Sequence, residues 1–156
     1  IEMQDPQQLD AYDDCLHALA LEQVGDAEAA LRALERALVK APGHHEALNH
    51  RAHICLQSGE WEAAEGYLTR ALRSHHEFAA ALNNRAALRL HQGELHAARK
   101  DLVAALMQDH ENPYIHLNWA ILLKMEGDDV GARGYLENAR LLGQEVDLEQ
   151  LVLRQA

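Results

Sequence analysis

The sequence predicts an all-α solenoid, in which short helix–turn–helix units stack along one direction. A glycine recurs every 34 residues, and alanine or leucine recurs at three later positions of each period. The composition agrees with this, because aromatic residues make up only 4% of the chain and there are only three prolines. A fixed period of this length is typical of supersecondary units that bury their apolar faces against one another.

The repeated positions define four units, each with a turn followed by an amphipathic helix. The glycines of this column are Gly25, Gly59, Gly93 and Gly127. An alanine, a leucine and a second alanine follow each glycine at constant spacing, as in Ala64, Leu68 and Ala71 of the second unit. Positions three, four and seven residues apart share one side of an α-helix, so we expect these side chains to pack in the core. Leu68 and Leu102 are therefore expected to be buried.

The first helix is predicted to start after Asp5, which can cap it, with Pro6 at its first position. One apolar face of this helix is formed by Leu9, Tyr12, Leu16 and Leu19. The helix should end at Gly25, after which Asp26 caps a second helix that runs to about Lys40. Two such helices joined by a short turn make one unit.

The columns and the period together resemble the tetratricopeptide repeat, whose 34-residue pattern includes an Ala-x3-Phe segment and a final proline. The second unit reads Leu48 and Ala52, then Ala64 and Leu68, with His76 at the proline position. The resemblance implies an all-α, right-handed α-solenoid of four helix-turn-helix repeats with a C-terminal capping helix. Its expected parts are a tail and helix start at 1–10, repeats at 11–44, 45–78, 79–112 and 113–146, and the capping helix at 147–156.

The net charge indicates which partners the chain can bind, and its cysteines indicate the compartment in which it works. The chain has 14 basic and 25 acidic residues, a net charge of -11, which repels phosphate backbones and anionic lipids. We therefore expect neither nucleic-acid binding nor membrane insertion. Cys15 and Cys55 lie in different repeats without the spacing of a disulfide framework or zinc site, which favours a reducing, cytoplasmic location.

The eleven histidines are the main candidates for chemistry. Glu46, His50 and His53 share one helix face, but no fourth ligand lies nearby in sequence, so we expect neither metal nor cofactor. The repeat junctions carry His44, His45, His75 and His76, which are expected to be solvated loop residues. No catalytic motif is present, and we expect the chain not to be an enzyme.

The resemblance implies that the first helices of the repeats line a concave groove. The predicted groove residues are Asn49, His50, His53, Asn83, Asn84, Ala87, Tyr114, Leu117, Asn118 and Ile121. Asparagine amides both donate and accept hydrogen bonds, so Asn84 and Asn118 could hold the backbone of an extended or helical partner segment. The alternative is that these amides bond to neighbouring helices.

The predicted function is a non-catalytic protein-interaction module or scaffold. The alternatives are a chaperone or assembly factor for a secretion or pilus-type system, or the targeting domain of a larger enzyme.

Overall fold

A computed structural model describes residues 5–143, and α-helix is the one type of regular secondary structure in this range. The helices are α1 (Pro6–Gln23), α2 (Ala27–Lys40), α3 (His45–Ser58), α4 (Trp61–Ser74), α5 (Ala79–His91), α6 (Leu95–Gln108), α7 (Pro113–Met125) and α8 (Asp129–Leu141). Each odd-numbered helix packs against the helix that follows it. The all-α prediction is confirmed, whereas the predicted capping helix at 147–156 lies outside the described residues.

The chain divides into two compact units, Ile1–His76 and Glu77–Ala156, here called the N-terminal and C-terminal units. Among the described residues, the N-terminal unit contains α1 to α4 and the C-terminal unit contains α5 to α8. Each unit thus holds two helix pairs. Leu68 and Leu102, one in each unit, are fully buried, which confirms their predicted place in the core.

The turns inside the helix pairs are set by the glycine column. Gly25, Gly59, Gly93 and Gly127 have φ angles of 83°, 74°, 75° and 86°. This left-handed conformation is disfavoured for residues that have a Cβ atom, because the Cβ approaches the following carbonyl oxygen. The constant spacing of glycine in the sequence therefore marks the points where a first helix must stop and the chain must fold back.

An acidic residue follows each of these glycines, but only the aspartates cap the next helix with their side chains. Asp26 and Asp128 accept hydrogen bonds of 3.0 and 2.9 Å from the N–H of the third helical residue. Glu60 and Glu94 occupy the same positions before α4 and α6 and make no such bond within the described chain. Asp5 caps α1 through the N–H two residues later, at 3.1 Å. The predicted caps at Asp5 and Asp26 are confirmed.

The packing face of α1 consists of small residues and not of the face that contains Leu9 and Leu16. The buried residues of this helix are Ala11, Cys15 and Ala18, which meet a stripe of alanines on α2. In contrast, Leu9 and Leu16 keep 48% and 46% of their surface exposed. Small side chains let the two helix backbones approach closely, so the alanine face packs and the leucine face does not.

Asp14 on α1 forms an ion-paired contact with α2. Its carboxylate accepts hydrogen bonds from Lys40 Nζ at 2.7 Å and Arg36 Nε at 3.4 Å, both on α2. Burial raises the pKa of Asp14, but the bonds and charges of Lys40 and Arg36 outweigh it, so the pKa is lowered. The two ion pairs thus help to join α1 and α2.

A buried carboxylate joins α5 and α6 in the C-terminal unit. Asp101 is 4% exposed and accepts two hydrogen bonds from Arg85, from Nε at 2.9 Å and from Nη2 at 2.8 Å. Arg89 Nη1 donates a further bond of 2.8 Å to the same carboxylate. Three charge-assisted bonds satisfy the charge that burial would otherwise leave without solvation. The network fixes the position of α6 along α5.

Candidate functional site

In the C-terminal unit, two predicted groove residues are joined directly. Asn118 Nδ2 on α7 donates a hydrogen bond of 2.8 Å to Asn83 Oδ1 on α5, and Asn83 is 7% exposed. This geometry matches the alternative that these amides bond to a neighbouring helix. The Asn118 carboxamide oxygen could accept a hydrogen bond from a partner, because the bond to Asn83 uses only the amide nitrogen.

The other predicted groove residues of this unit differ in exposure. Leu117 is buried, whereas Asn84, Ala87 and Ile121 are half-buried. Tyr114 keeps 56% of its surface exposed, at the start of α7. Tyr114 therefore presents a large ring to solvent, while Leu117 belongs mainly to the core.

In the N-terminal unit, the predicted groove residues lie on α3 at different depths. Asn49 is buried, His50 is half-buried and His53 is exposed. Burial lowers the pKa of His50, and the neighbouring His53 lowers it further. His53 Nε2 lies 3.1 Å from Gln57 Nε2 one turn later. His53 is thus the member of this group that an incoming partner could contact most readily.

An exposed apolar stripe on α1 is the feature of this unit that the predicted groove set omits. The stripe consists of Leu9, Tyr12 and Leu16, of which 48%, 42% and 46% of the surface is exposed. Their spacing of three and four residues places them on one face of the helix. The sequence shows this spacing, but spacing alone does not distinguish a packed face from an exposed one.

Three histidines of the N-terminal unit, here called the histidine junction, meet where α3 begins and α4 ends. The ring centroids of His45 and His75 are 3.6 Å apart, and those of His44 and His45 are 5.9 Å apart. His44 Nδ1 accepts a hydrogen bond of 3.2 Å from the N–H of Ala47 and so caps α3. The prediction that all junction histidines are solvated is wrong for His44, which is 6% exposed.

Burial also depresses the basicity of this cluster. It lowers the pKa of His45 to about 4, with added effects from His75 and His44. It lowers the pKa of His44 as well, with Glu46 acting in the opposite direction. A neutral imidazole suits the cap, because Nδ1 can accept a hydrogen bond only when it carries no proton.

The remaining candidates for reactive or metal chemistry are isolated. Burial raises the pKa of the Cys15 thiol to about 12, and Glu46 and Glu22 contribute to the rise. Such a thiol is almost wholly protonated at neutral pH and is a weak nucleophile. Within residues 5–143, no group of three or more histidine, cysteine, aspartate or glutamate side chains is arranged to hold a metal ion. In the same range, no helix is both long and apolar enough to cross a membrane.

Comparison with solved structures identifies the fold. PilF from Pseudomonas aeruginosa is 22% identical with a TM-score of 0.76, over 89% of this chain and 64% of that one. A mutant O-GlcNAc transferase from Thermobaculum terrenum gives the same identity, TM-score and coverage of this chain, but only 27% of its own length is covered. MamA from Desulfovibrio magneticus RS-1 is 17% identical with a TM-score of 0.65, over 85% and 75% of the two chains. The predicted α-solenoid fold is confirmed by these likenesses.

Sequence comparison then gives the family. The chain spans less than two thirds of the length of the PilF and O-GlcNAc transferase structures. No curated protein matches the sequence. A family model described as the tetratricopeptide repeat matches residues 15–73 and 52–114. Because these matches together cover more than half of the chain, the protein belongs to the tetratricopeptide-repeat family.

Proposed function

We propose that this protein is a non-catalytic interaction module that holds a segment of a partner protein against its first helices. The observation that carries the proposal is the exposed apolar stripe of α1, formed by Leu9, Tyr12 and Leu16. Each of these side chains leaves more than two fifths of its surface in water, which is unfavourable unless another surface covers it. Tyr114 on α7 presents a comparable surface in the C-terminal unit.

The partner segment is extended or helical, and both forms suit the stripe. Side chains spaced by three and four residues form a continuous ridge, against which a second helix can pack. An extended segment can instead place alternate side chains between the leucines and the tyrosine. The acidic balance of the chain, 25 acids against 14 bases, disfavours strongly acidic segments as partners.

A photo-cross-linking amino acid at selected sites tests the proposal in the cell of origin. We expect substitution at Leu16 or Tyr114 to capture the same partner. Apolar residues of second helices that are even more exposed serve as controls, namely Val39 at 83% and Met107 at 78% exposure. Capture from the control positions but not from the first-helix positions would move the binding surface to the second helices and overturn the proposal.

Affinity for the captured partner gives a quantitative test. Leu16→Ser together with Tyr114→Ser should weaken binding at least tenfold, which is about 1.4 kcal/mol. Val39→Ser is the matched control and should leave binding unchanged. The substitutions are at exposed positions, so circular dichroism spectra and melting curves of all variants should agree with those of the original protein. Full binding by the double variant would contradict the proposed surface.

A role as chaperone or assembly factor for a secretion or pilus-type system is the second candidate. The likeness to PilF over 89% of this chain is consistent with it. Under this reading, deletion of the gene should lower the amount or assembly of one client protein, and restoring the chain should recover it. A normal level and normal assembly of the captured partner in the deletion strain would exclude the chaperone role and be compatible with the scaffold role.

A third candidate is the targeting domain of a larger enzyme. The O-GlcNAc transferase likeness shows a repeat region of this size within a chain of which it covers only 27%. The length of the native protein, measured by mass spectrometry of cell extracts, decides this point. A native mass equal to that of the present chain would contradict it.

A further inference from the structure

A cavity of about 220 Å³ opens in the N-terminal unit, where the end of α1 and the turn after it meet the last turns of α3. The residues that line it are Glu22, Gly25, Ala27, His53, Ile54 and Gln57. The lining therefore combines polar side chains, including a carboxylate, with the apolar side chains of Ile54 and Ala27. The volume admits a single side chain rather than a folded element of a partner.

The Glu22 carboxylate is the acidic group of this cavity, and no ion pair compensates its charge within the described residues. Within residues 5–143 it makes no hydrogen bond and no ion pair shorter than 4.0 Å. Asp14 on the same helix, in contrast, is paired with Lys40 and Arg36. Burial raises the pKa of Glu22, which shows that its charged form is incompletely solvated. A bound cation would compensate for this loss of solvation.

The nearby imidazole of His53 does not fill the role of counter-ion. Its charge would lower the pKa of Glu22 and opposes the effect of burial. However, no ion pair shorter than 4.0 Å joins His53 to Glu22 within residues 5–143, and His53 Nε2 lies 3.1 Å from Gln57 Nε2 one turn later on α3. The position beside the Glu22 carboxylate is therefore open to a cation from a partner.

A lysine or arginine side chain has the chemistry that the cavity requires. Its charged end can pair with Glu22, in the case of arginine through two parallel hydrogen bonds. Its aliphatic stem can pack on Ile54 and Ala27, as the stems of long basic side chains commonly do on apolar surface. The surroundings favour a basic ligand over an acidic one, since residues 5–76 contain 12 acidic and six basic side chains.

The position of the cavity connects it to the exposed stripe of α1. Glu22 lies six residues after Leu16, which corresponds to a rise of about 9 Å along α1 and a position about 120° around the helix from Leu16. An extended peptide covers the rise alone in about three residues. A segment with a basic side chain at least three residues from an apolar one could therefore reach the cavity and the edge of the stripe together.

We propose that the Glu22 cavity binds a lysine or arginine side chain of a protein partner. The inference rests on the proposed interaction function and names the chemistry of the segment that is bound. Together, the cavity and the exposed stripe of α1 select basic segments with a nearby apolar residue. Acidic and uncharged segments are excluded from the cavity, because they leave the Glu22 carboxylate without a counter-ion.

The test uses synthetic peptides and nuclear magnetic resonance of the ¹⁵N-labelled chain, so it requires no cellular partner. The probe is acetyl-Leu-Ala-Ala-Arg-amide, and the control peptide carries citrulline, a neutral analogue of arginine. We expect saturable shifts of the backbone N–H signals of Gly25, His53 and Ile54 with the arginine peptide. Binding of the citrulline peptide should be at least fivefold weaker.

Two variants separate the cavity from general attraction to an acidic surface. Glu22→Gln preserves the shape of the side chain and should weaken binding of the arginine peptide at least fivefold. Glu62→Gln removes an exposed acid on α4 and should leave binding unchanged. Comparable spectra of the free variants establish that each is folded. The Glu22 carboxyl itself, followed by side-chain ¹³C signals, should show a lower pKa with the arginine peptide than without it.

Three outcomes would overturn the inference: equal binding of the arginine and citrulline peptides, equal binding by Glu22→Gln and the original chain, or equal loss in both variants. The last would indicate general electrostatic attraction only. Failure of this test leaves the cross-linking result at Leu16 and Tyr114 untouched, so the cavity and the proposed interaction function fail separately.

Discussion

Acid should destabilise the N-terminal unit through His45. The ring of His45 stacks on His75, lies close to His44 and is 3.9 Å from Glu46. The single carboxylate of this set favours the charged form, but burial and the two other imidazoles outweigh it and lower the pKa to about 4. Since the unfolded chain binds this proton more tightly, stability is complete above about pH 6.5 and falls as the pH drops toward 4.

The size of the effect follows from the difference between the two pKa values. At pH 5 the imidazole is largely protonated in the unfolded chain and largely neutral in the folded chain. This pH lies about 1.5 units below the unfolded pKa, so the loss in the free energy of unfolding is at most about 2 kcal/mol. Solvent screening reduces this figure, because 26% of the His45 side chain is exposed. His45→Gln removes the titrating group and should recover most of this loss at pH 5.

Urea unfolding at pH 7.5 and pH 5.0 measures this difference. Trp61 lies in the N-terminal unit and Trp119 in the other, so Trp61 fluorescence in a Trp119→Phe background follows the relevant unit. The control is His17→Gln, a substitution of an exposed histidine on α1. If His45→Gln and His17→Gln lose the same stability between the two pH values, the reasoning from burial and stacking is refuted.

Three further predictions concern stability, each measured as the free energy of unfolding. Leu68→Ala or Leu102→Ala should cost about 2 to 5 kcal/mol, because both side chains are fully buried; a loss below about 0.5 kcal/mol would place them outside the core. Asp101→Asn should cost about 3 to 5 kcal/mol, since it leaves two arginines without their buried counter-charge, and an unchanged value would mean that water replaces the carboxylate. Gly66→Ala should stabilise α4 by about 1 kcal/mol, as an added Cβ meets no atom within 4 Å, whereas Gly59→Ala should destabilise by about 1 to 2 kcal/mol because its φ is 74°; equal effects would contradict the backbone argument.

The parts of the fold that depend on backbone geometry could be predicted from the sequence. Gly59 and its equivalents mark the turns because few other residues adopt a positive φ, and Asp26 caps α2 because its short side chain reaches the free N–H groups. Burial of Leu68 followed from its repeated position. These features depend on neighbouring residues or recur every 34 residues, so the sequence alone is enough to predict them.

The parts that depend on partners from other helices could not be predicted. The apolar spacing of Leu9 and Leu16 is the same whether the face packs or is exposed, and the choice depends on the alanines that α2 brings against the other face of α1. Likewise, the bond between Asn118 and Asn83 depends on the separation of α5 and α7. Glu22 gave no signal in sequence, because its cavity forms only when α3 packs beside α1.

The Asn118–Asn83 bond also affects which substitutions can test binding to the predicted groove. Removal of the Asn118 amide would leave the buried Asn83 oxygen without its donor, at a cost of about 1 to 3 kcal/mol. A loss of binding in an Asn118→Ala variant could then reflect altered packing of α7. Tyr114 and Leu16 are better positions for such tests, because their exposed surfaces can be changed without removing a buried hydrogen bond.

The difference between aspartate and glutamate at the four turns has a consequence for local opening of the chain. At Asp26 and Asp128 a side chain holds an N–H of the first helical turn, whereas Glu60 and Glu94 provide no such bond within the described residues. The first-turn amides of α4 and α6 should therefore exchange their hydrogens with solvent faster than those of α2 and α8. Each unit thus contains one helix with a side-chain cap at its start, α2 or α8, and one without such a cap, α4 or α6. Limited proteolysis should therefore cut first beside Glu60 and Glu94.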